Sequence, residues 1–185
     1  SAGIFVYGRS SGYNSIASDN TFKNNKIENF YRYAYYTYYT NGDQFLNNDI
    51  SRVNATSRNL FSSPYFVYAS YCYSSNRSTS IDGNKFHDIP HEGATQGVSS
   101  TLYGIYANRV YGTSTNYFKI SNNDLRDVRG DGTIYGIYAN YCYYTDIEKN
   151  TLKDWYGNGS SSSFWGIRAY YCYSGLNVKQ NVIRD

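Results

Sequence analysis

Residues 135–154, YGIYANYCYYTDIEKNTLKD, contain two short motifs that recur along the whole chain. The first motif, YGIYA, has a central apolar residue, and looser copies of it place six such anchor residues 30 to 38 positions apart. The anchors are Ile4, Tyr35, Val67, Ile105, Ile137 and Ile167. A period of this length along a whole sequence is typical of repeat proteins, whose units stack on their neighbours. The sequence therefore predicts a solenoid.

The second motif, apolar-x-x-Asn-x-apolar, also occurs six times and alternates with the first. Its asparagines are Asn25, Asn48, Asn84, Asn123, Asn150 and Asn181. Asparagine tolerates the left-handed backbone conformation, and its side-chain amide can bond to identical residues above and below. We therefore interpret these residues as a structural Asn ladder that stabilises turns, and not as a binding site.

The composition favours an all-β fold. The 185 residues include 25 tyrosines, only two prolines and no methionine, so strand and turn formers dominate over helix formers. Within each copy inward and outward positions alternate, with Ile137, Ala139 and Cys142 inward and Tyr138 and Tyr143 outward. We expect one domain over residues 1–185, built from about six coils of roughly 30 residues each.

The Asn ladder and strands such as Gly136-Ile137-Tyr138 resemble the right-handed parallel β-helix of the pectate-lyase-like superfamily, and within it the repeat-rich secreted and surface proteins of bacteria. The resemblance covers nearly the whole chain and implies an extracellular or cell-surface location. Enzymes of that superfamily present several carboxylates with an Arg or Lys from one strand face. The outward positions here carry Phe5, four tyrosines and Arg168 instead, so we predict no catalytic residue, no enzyme activity and no cofactor.

Tyrosines form the most unusual surface feature of the sequence. One outward column is predicted beside the anchors, and two more flank the cysteine position. These surface aromatic ladders comprise Tyr36, Tyr68, Tyr106, Tyr138, Tyr71, Tyr141, Tyr171, Tyr73, Tyr111, Tyr143 and Tyr173. Stacked aromatic pairs stabilise parallel strands and present amphipathic area suited to proteins or to sugar rings.

Charge and hydropathy exclude two classes of partner. The net charge is only +3 and the basic residues are scattered, so we predict no nucleic-acid binding. No run of about 18 apolar residues is present, so we predict no membrane insertion. The N-terminal SAGIFVYG lacks the pattern of a signal peptide and neither end carries a polar cap, so we expect a fragment or subunit of a longer assembly.

Three groups of residues have a sharper alternative reading. Cys72, Cys142 and Cys172 are interpreted as small packing residues, with a disulfide between the last two as the alternative. An acidic column that includes Asp127 and Asp154 is interpreted as turn capping, with a calcium site as the alternative. The run His87-Asp88-x-x-His91-Glu92 is interpreted as an exposed loop and not as a metal site, so no metal is predicted.

Two hypotheses on function follow. The first is a non-catalytic structural protein, such as a filament, stalk or adhesin shaft, that self-associates end to end and side by side. The second is a module that binds or cleaves a polysaccharide on a Tyr-lined face. An assay for sugar cleavage separates the enzyme from the structural protein.

Overall fold

The computed structural model describes residues 2–8, 17–52, 63–89, 101–130, 132–157 and 162–184. Within these ranges lie twenty strands, all paired in parallel. None of the residues in these ranges belongs to a helix, so none of them forms a helix that could cross a membrane. The all-β prediction is confirmed for the described part of the chain.

Eighteen of the strands form three six-stranded sheets. Sheet 1 contains β1 (Ala2–Tyr7), β5 (Tyr33–Tyr38), β9 (Tyr65–Ser70), β12 (Leu102–Asn108), β15 (Thr133–Asn140) and β18 (Ser163–Tyr170). Sheet 2 contains β3 (Thr21–Lys23), β7 (Gln44–Leu46), β10 (Ser80–Asp82), β13 (Phe118–Ser121), β16 (Thr145–Glu148) and β19 (Asn177–Lys179). Sheet 3 contains β4 (Lys26–Glu28), β8 (Asp49–Ser51), β11 (Lys85–His87), β14 (Asp124–Gly130), β17 (Thr151–Gly157) and β20 (Val182–Arg184). A further pair joins β2 (Ala17–Ser18) to β6 (Thr40–Asn41).

The chain visits the three sheets in the same cyclic order in every repeat. Neighbours within each sheet are therefore equivalent strands of successive repeats, as in the order β1-β5-β9-β12-β15-β18. Parallel strands need long crossover connections, which the other two sheets supply here. This arrangement is consistent with a parallel β-helix.

The predicted alignment of the anchors is confirmed. Ile137 pairs with Ile105 on one side and with Ile167 on the other, and the same register continues to Val67, Tyr35 and Ile4. Because side chains of a strand alternate between two faces, a shift by one residue would expose every anchor. Burial of the anchors fixes this register.

The core is a set of apolar columns that runs between the sheets. In the middle of the stack Ile137, Ala139 and Cys142 have no exposed surface, while Tyr138 is half-buried and Tyr143 is exposed, as predicted. Sheets 2 and 3 add further buried residues in register, such as Ile120 with Ile147 and Leu125 with Leu152. Each such buried aliphatic side chain contributes about 1.5–3 kcal/mol of transfer free energy.

The second motif spans a corner and is not a single strand. Its first apolar residue lies in sheet 2, its last in sheet 3, and the asparagine stands between them. The expectation that this asparagine adopts the left-handed conformation was wrong. The residue before it does so, at Asn24, Asn47, Gly83, Asn122, Lys149 and Gln180. The four ladder asparagines in the middle of the stack, Asn48, Asn84, Asn123 and Asn150, are instead turned inward and shielded from water.

The other two corners also contain left-handed residues. At the end of sheet 3 they are Asn29, Asp88 and, in the longer strands, Asp127 and Asp154, with φ between 46° and 56°. This position agrees with the turn interpretation of the acidic column, since Asn and Asp tolerate positive φ. At the end of sheet 1 the left-handed residues are Tyr39, Tyr71, Arg109, Tyr141 and Tyr171.

Gly136 shows why a glycine occurs in the first motif. A Cβ at this position would overlap the Leu152 side chain and the Gly166 carbonyl oxygen. The core residue of sheet 3 fills the space that a side chain would need. Close packing between the two sheets therefore requires glycine here.

Candidate functional site

The predicted outward column of sheet 1 forms a continuous stack of rings. Phe5 and Tyr36 have ring centroids 4.6 Å apart, and Tyr36 and Tyr68 follow at 5.1 Å. The stack continues from Tyr68 to Tyr106 at 5.4 Å and on to Tyr138 at 5.3 Å. The strand register positions each ring directly over the next because equivalent residues pair.

A second column, which sequence reasoning missed, runs beside the first. It contains Tyr33, Tyr65, Tyr103, Tyr135 and Trp165, with neighbouring centroids 4.6 to 6.4 Å apart. Strict alternation would turn Tyr103 inward, because it lies three positions before Tyr106. Two consecutive residues, Gly104 and Ile105, are buried instead, so both tyrosines reach the same surface. The recurring Tyr-x-x-Tyr spacing was the available signal.

The two columns touch each other along the stack. Within one strand the ring of Tyr65 meets that of Tyr68 edge to face at 5.1 Å, and the ring of Tyr135 stacks on that of Tyr138 at 5.0 Å. Together the columns make one aromatic surface, which we call the tyrosine face. It comprises Phe5, Tyr36, Tyr68, Tyr106, Tyr138 and Arg168 with Tyr33, Tyr65, Tyr103, Tyr135 and Trp165.

Much of the stacking along the tyrosine face is face to face. The rings of Tyr36 and Tyr68 are 3° from parallel, and those of Tyr65 and Tyr103 are 4° from parallel. The aromatic faces are therefore largely covered by the neighbouring rings. Ring edges and hydroxyl groups are left to meet a partner, and ring edges carry partial positive charge.

The phenols of Tyr33, Tyr36, Tyr103 and Tyr106 on the tyrosine face are neutral at physiological pH, because their pKa values are raised. Burial, followed by the neighbouring phenols, raises the pKa of Tyr36 and of Tyr103 to about 12. Burial also raises the pKa of Tyr33 and Tyr106. The hydroxyl groups therefore remain able to donate hydrogen bonds.

Arg168 continues the outward column in β18, where it pairs with Tyr138 of β15. Its guanidinium lies 5.1 Å from the ring centroid of Tyr138 and 5.4 Å from that of Trp165. Its Nη1 also donates a 2.7 Å hydrogen bond to the hydroxyl oxygen of Tyr135. Cation–π contacts of this kind hold the charge against the tyrosine face.

The remaining predicted tyrosines form two columns around the corner from sheet 1. Tyr71 stacks on Tyr39 at 4.9 Å and Tyr141 on Tyr171 at 5.0 Å, with the Arg109 guanidinium between the two pairs. Beyond the corner the centroids of Tyr73, Tyr111, Tyr143 and Tyr173 follow one another at 5.0 to 5.6 Å. The predicted ladders thus occupy two separate surfaces and not one.

The ladder asparagines are linked to one another by hydrogen bonds. The Oδ1 atom of Asn123 accepts from the backbone N–H of Asn84 at 3.1 Å and from its Nδ2 at 3.0 Å. The Nδ2 of Asn123 donates to the carbonyl oxygen of Ile81 at 2.8 Å and to Oδ1 of Asn150 at 2.9 Å. Bonds of the same kind join all six asparagines from Asn25 to Asn181. Their polar atoms are occupied by each other and by backbone.

The histidine run lies only partly within the described residues, because His91 and Glu92 fall outside them. Both ring nitrogens of His87 form hydrogen bonds, Nδ1 with Asp88 at 2.7 Å and Nε2 with Asp49 at 2.8 Å. Burial lowers the pKa of His87, but these two hydrogen bonds outweigh it and raise the pKa above its usual value. In the described ranges no group of three or more His, Cys, Asp or Glu residues could hold a metal ion.

The three cysteines occupy one column with Val110, and their thiols are free. Cys72 and Cys142 are fully buried, whereas Cys172 is partly exposed. A hydrogen bond from the neighbouring Cys142 lowers the pKa of Cys172. The Sγ atoms of Cys142 and Cys172 also lie 3.6 Å from carbonyl oxygens of the preceding repeats, those of Ala107 and Ala139.

Comparison with known proteins found no matching family model, no matching curated protein and no matching solved structure.

Proposed function

We propose that residues 1–185 form a single right-handed parallel β-helix of six coils, and that this domain is a non-catalytic segment of a filament, stalk or adhesin shaft. Six successive repeats in one three-sheet order support the coil count. Such a fold becomes longer as coils are added, by about 4.8 Å along its axis for each coil. Six coils give a segment on the order of 30 Å long.

One observation carries the axial part of the proposal. The apolar columns keep one register from repeat to repeat, so that Ile147 pairs with Val178 in sheet 2 and Leu152 pairs with Ile183 in sheet 3. In the middle of the stack these columns are buried, as at Ile147 and Leu152. A stack of this kind extends along its axis by adding repeats in the same register, from the same chain or from a second copy.

The Asn ladder gives this stacking a direction. Each asparagine donates from its backbone N–H to Oδ1 of the asparagine in the next coil, as Asn150 does to Asn181 at 3.0 Å. In a longer stack Asn181 would donate in the same way to the next Asn. Head-to-tail contacts of this kind build open assemblies rather than closed dimers.

The proposal places the rod outside the cell or on its surface, as in the bacterial proteins that the sequence resembles. It needs no cofactor, nucleic acid or membrane insertion. The tyrosine face supplies side-by-side or partner contacts, which enclosed core residues cannot provide.

The second candidate is a module that binds or cleaves a polysaccharide. The aromatic columns favour it, since sugars bind to aromatic surface. A reducing-sugar and unsaturated-product assay over uronic-acid polymers tests cleavage. Turnover that survives purification would reject the structural role.

Electron microscopy of the native material tests the structural role itself. The proposal predicts rods or fibres in which the coil repeat of about 4.8 Å lies along the axis. Compact particles that degrade a polysaccharide would overturn it.

A further inference from the structure

The outer side of sheet 1, which carries the tyrosine face, is large enough to hold a partner. Sheet 1 has six strands of six to eight residues. With about 4.8 Å between strands and about 3.3 Å per residue, the sheet measures about 29 by 20–26 Å, or roughly 600–750 Å². Two such faces bury roughly 1,200–1,500 Å² in total, which is within the range of specific protein interfaces.

The orientation of the rings favours a second copy of the chain over a sugar as the partner of the tyrosine face. The faces of Tyr36, Tyr65 and Tyr103 are covered by neighbouring rings. Only around Tyr106, which is tilted by 45° against Tyr68 and by 55° against Tyr138, is a ring face partly open for a sugar to stack on. Rows of ring edges and hydroxyl groups remain, spaced at the coil repeat. A second copy carries rows with the same repeat, so its ring edges and hydroxyl groups can meet those of the first row by row along the whole face.

The charges decide how two copies are oriented. If both coil axes pointed the same way, Arg168 of one copy would lie opposite Arg168 of the other, and like charges at a dry interface repel. With the axes antiparallel, the last coil lies opposite the first. Arg168 then meets Phe5 and Tyr7, whose side chains are 60% and 57% exposed and can accept a cation.

We propose that the tyrosine face is the contact between two copies of this chain, which pair side by side with antiparallel coil axes around a two-fold axis. This pairing rests on the proposed structural role and names the surface and partner for its lateral contacts. A two-fold axis makes the contact self-complementary and closed. The two-fold axis passes between the third and fourth coils, so Tyr68 and Tyr106 lie at the centre of the interface. Each of them contributes to the interface from both copies.

Sedimentation and light scattering of the 185-residue chain test the pairing. The expected mass at micromolar concentration is twice the 21.2 kDa of the chain. Tyr68→Ser with Tyr106→Ser should raise the dissociation constant at least tenfold, since central tyrosines are typical hot spots. Tyr111→Ser with Tyr143→Ser is the matched control, because it removes two stacked tyrosines around the corner and should leave the dimer intact. Far-UV circular dichroism shows whether each variant is folded.

Two further measurements fix the geometry. Small-angle X-ray scattering should show a particle that is wider but not longer than one chain. Arg168→Ala should weaken an antiparallel dimer, whereas it would strengthen a parallel one by removing the repulsion.

A monomer at all concentrations or an end-to-end dimer would overturn the pairing. An equal rise of the dissociation constant in the control variant would also overturn it. So would a monomer whose tyrosine face binds polysaccharides. A folded monomer without sugar turnover would reject the pairing alone and leave the rod intact, whereas turnover would reject the structural role.

Discussion

Replacing Asn123 by alanine removes four hydrogen bonds from the interior of the stack. The Oδ1 atom accepts from the N–H and the Nδ2 of Asn84, and the Nδ2 donates to Ile81 and Asn150. At about 1 kcal/mol of net stability for each bond, Asn123→Ala should lower the free energy of unfolding by about 4 kcal/mol. The loss is large because Asn84 N–H and Ile81 C=O are buried and water cannot replace the missing partner.

Chemical denaturation followed by circular dichroism measures this loss. Asn177→Ala is the matched control, since its Nδ2 makes one exposed bond to Asp146 and its removal should cost less than about 1 kcal/mol. The adjacent Asn122 has φ of 53°, so Asn122→Gly should be nearly neutral and Asn122→Ala should cost about 1–2 kcal/mol. If Asn123→Ala cost no more than Asn177→Ala, the ladder would not stabilise the stack and the reasoning would be refuted.

Three more predictions follow from the core, the buried acid and the thiols. Leu152→Asp puts a charge where no surface is exposed, so it should lower the free energy of unfolding by several kcal/mol. Tyr138→Ser should lower it by only about 1–2 kcal/mol, through lost ring contacts. Thermal melts measure both, and equal losses would contradict the inward and outward assignment. Burial raises the pKa of Asp43 in the folded protein. The stability that its neutral carboxyl group contributes is therefore fully present below the unfolded pKa of about 3.9, and it is lost as the pH rises through the folded pKa. Asp43→Asn should therefore melt above the wild type by a margin that grows with pH from acid to neutral; a margin independent of pH would reject this. Iodoacetamide should modify partly exposed Cys172 before Cys72 in the folded protein, as read by peptide mass spectrometry, and a Cys142–Cys172 disulfide or equal rates would contradict the free-thiol assignment.

Sequence periodicity was sufficient to predict the strand register. Anchors such as Ile105 and Ile137 have equivalent neighbours at a nearly constant spacing, and parallel stacking requires equivalent residues to pair. The sequence did not predict that the second motif is divided between two sheets. Strands of three residues, such as Asn177–Lys179, are too short to show a period of their own.

The second tyrosine column and the left-handed tyrosines could not be predicted by local rules. Strict alternation assigns Tyr103 to the interior, and only the packing of Gly104 against Gly136 and Leu125 allows two buried residues in succession. Bulky residues such as Tyr71 and Tyr141 avoid positive φ in isolation. Their stacking on equivalent rings of the adjacent coils offsets the local strain, and this depends on the complete stack.

Methyl NMR of the folded chain is the most direct test of the central claim, that each coil stacks in register on the next in all three sheets. Nuclear Overhauser contacts are expected between Ile105 and Ile137 in sheet 1, Ile120 and Ile147 in sheet 2, and Leu125 and Leu152 in sheet 3. Their backbones are separated by one strand spacing of about 4.8 Å, well within reach of such contacts. Contacts shifted by one or more residues, or confined to residues that are close in sequence, would contradict it.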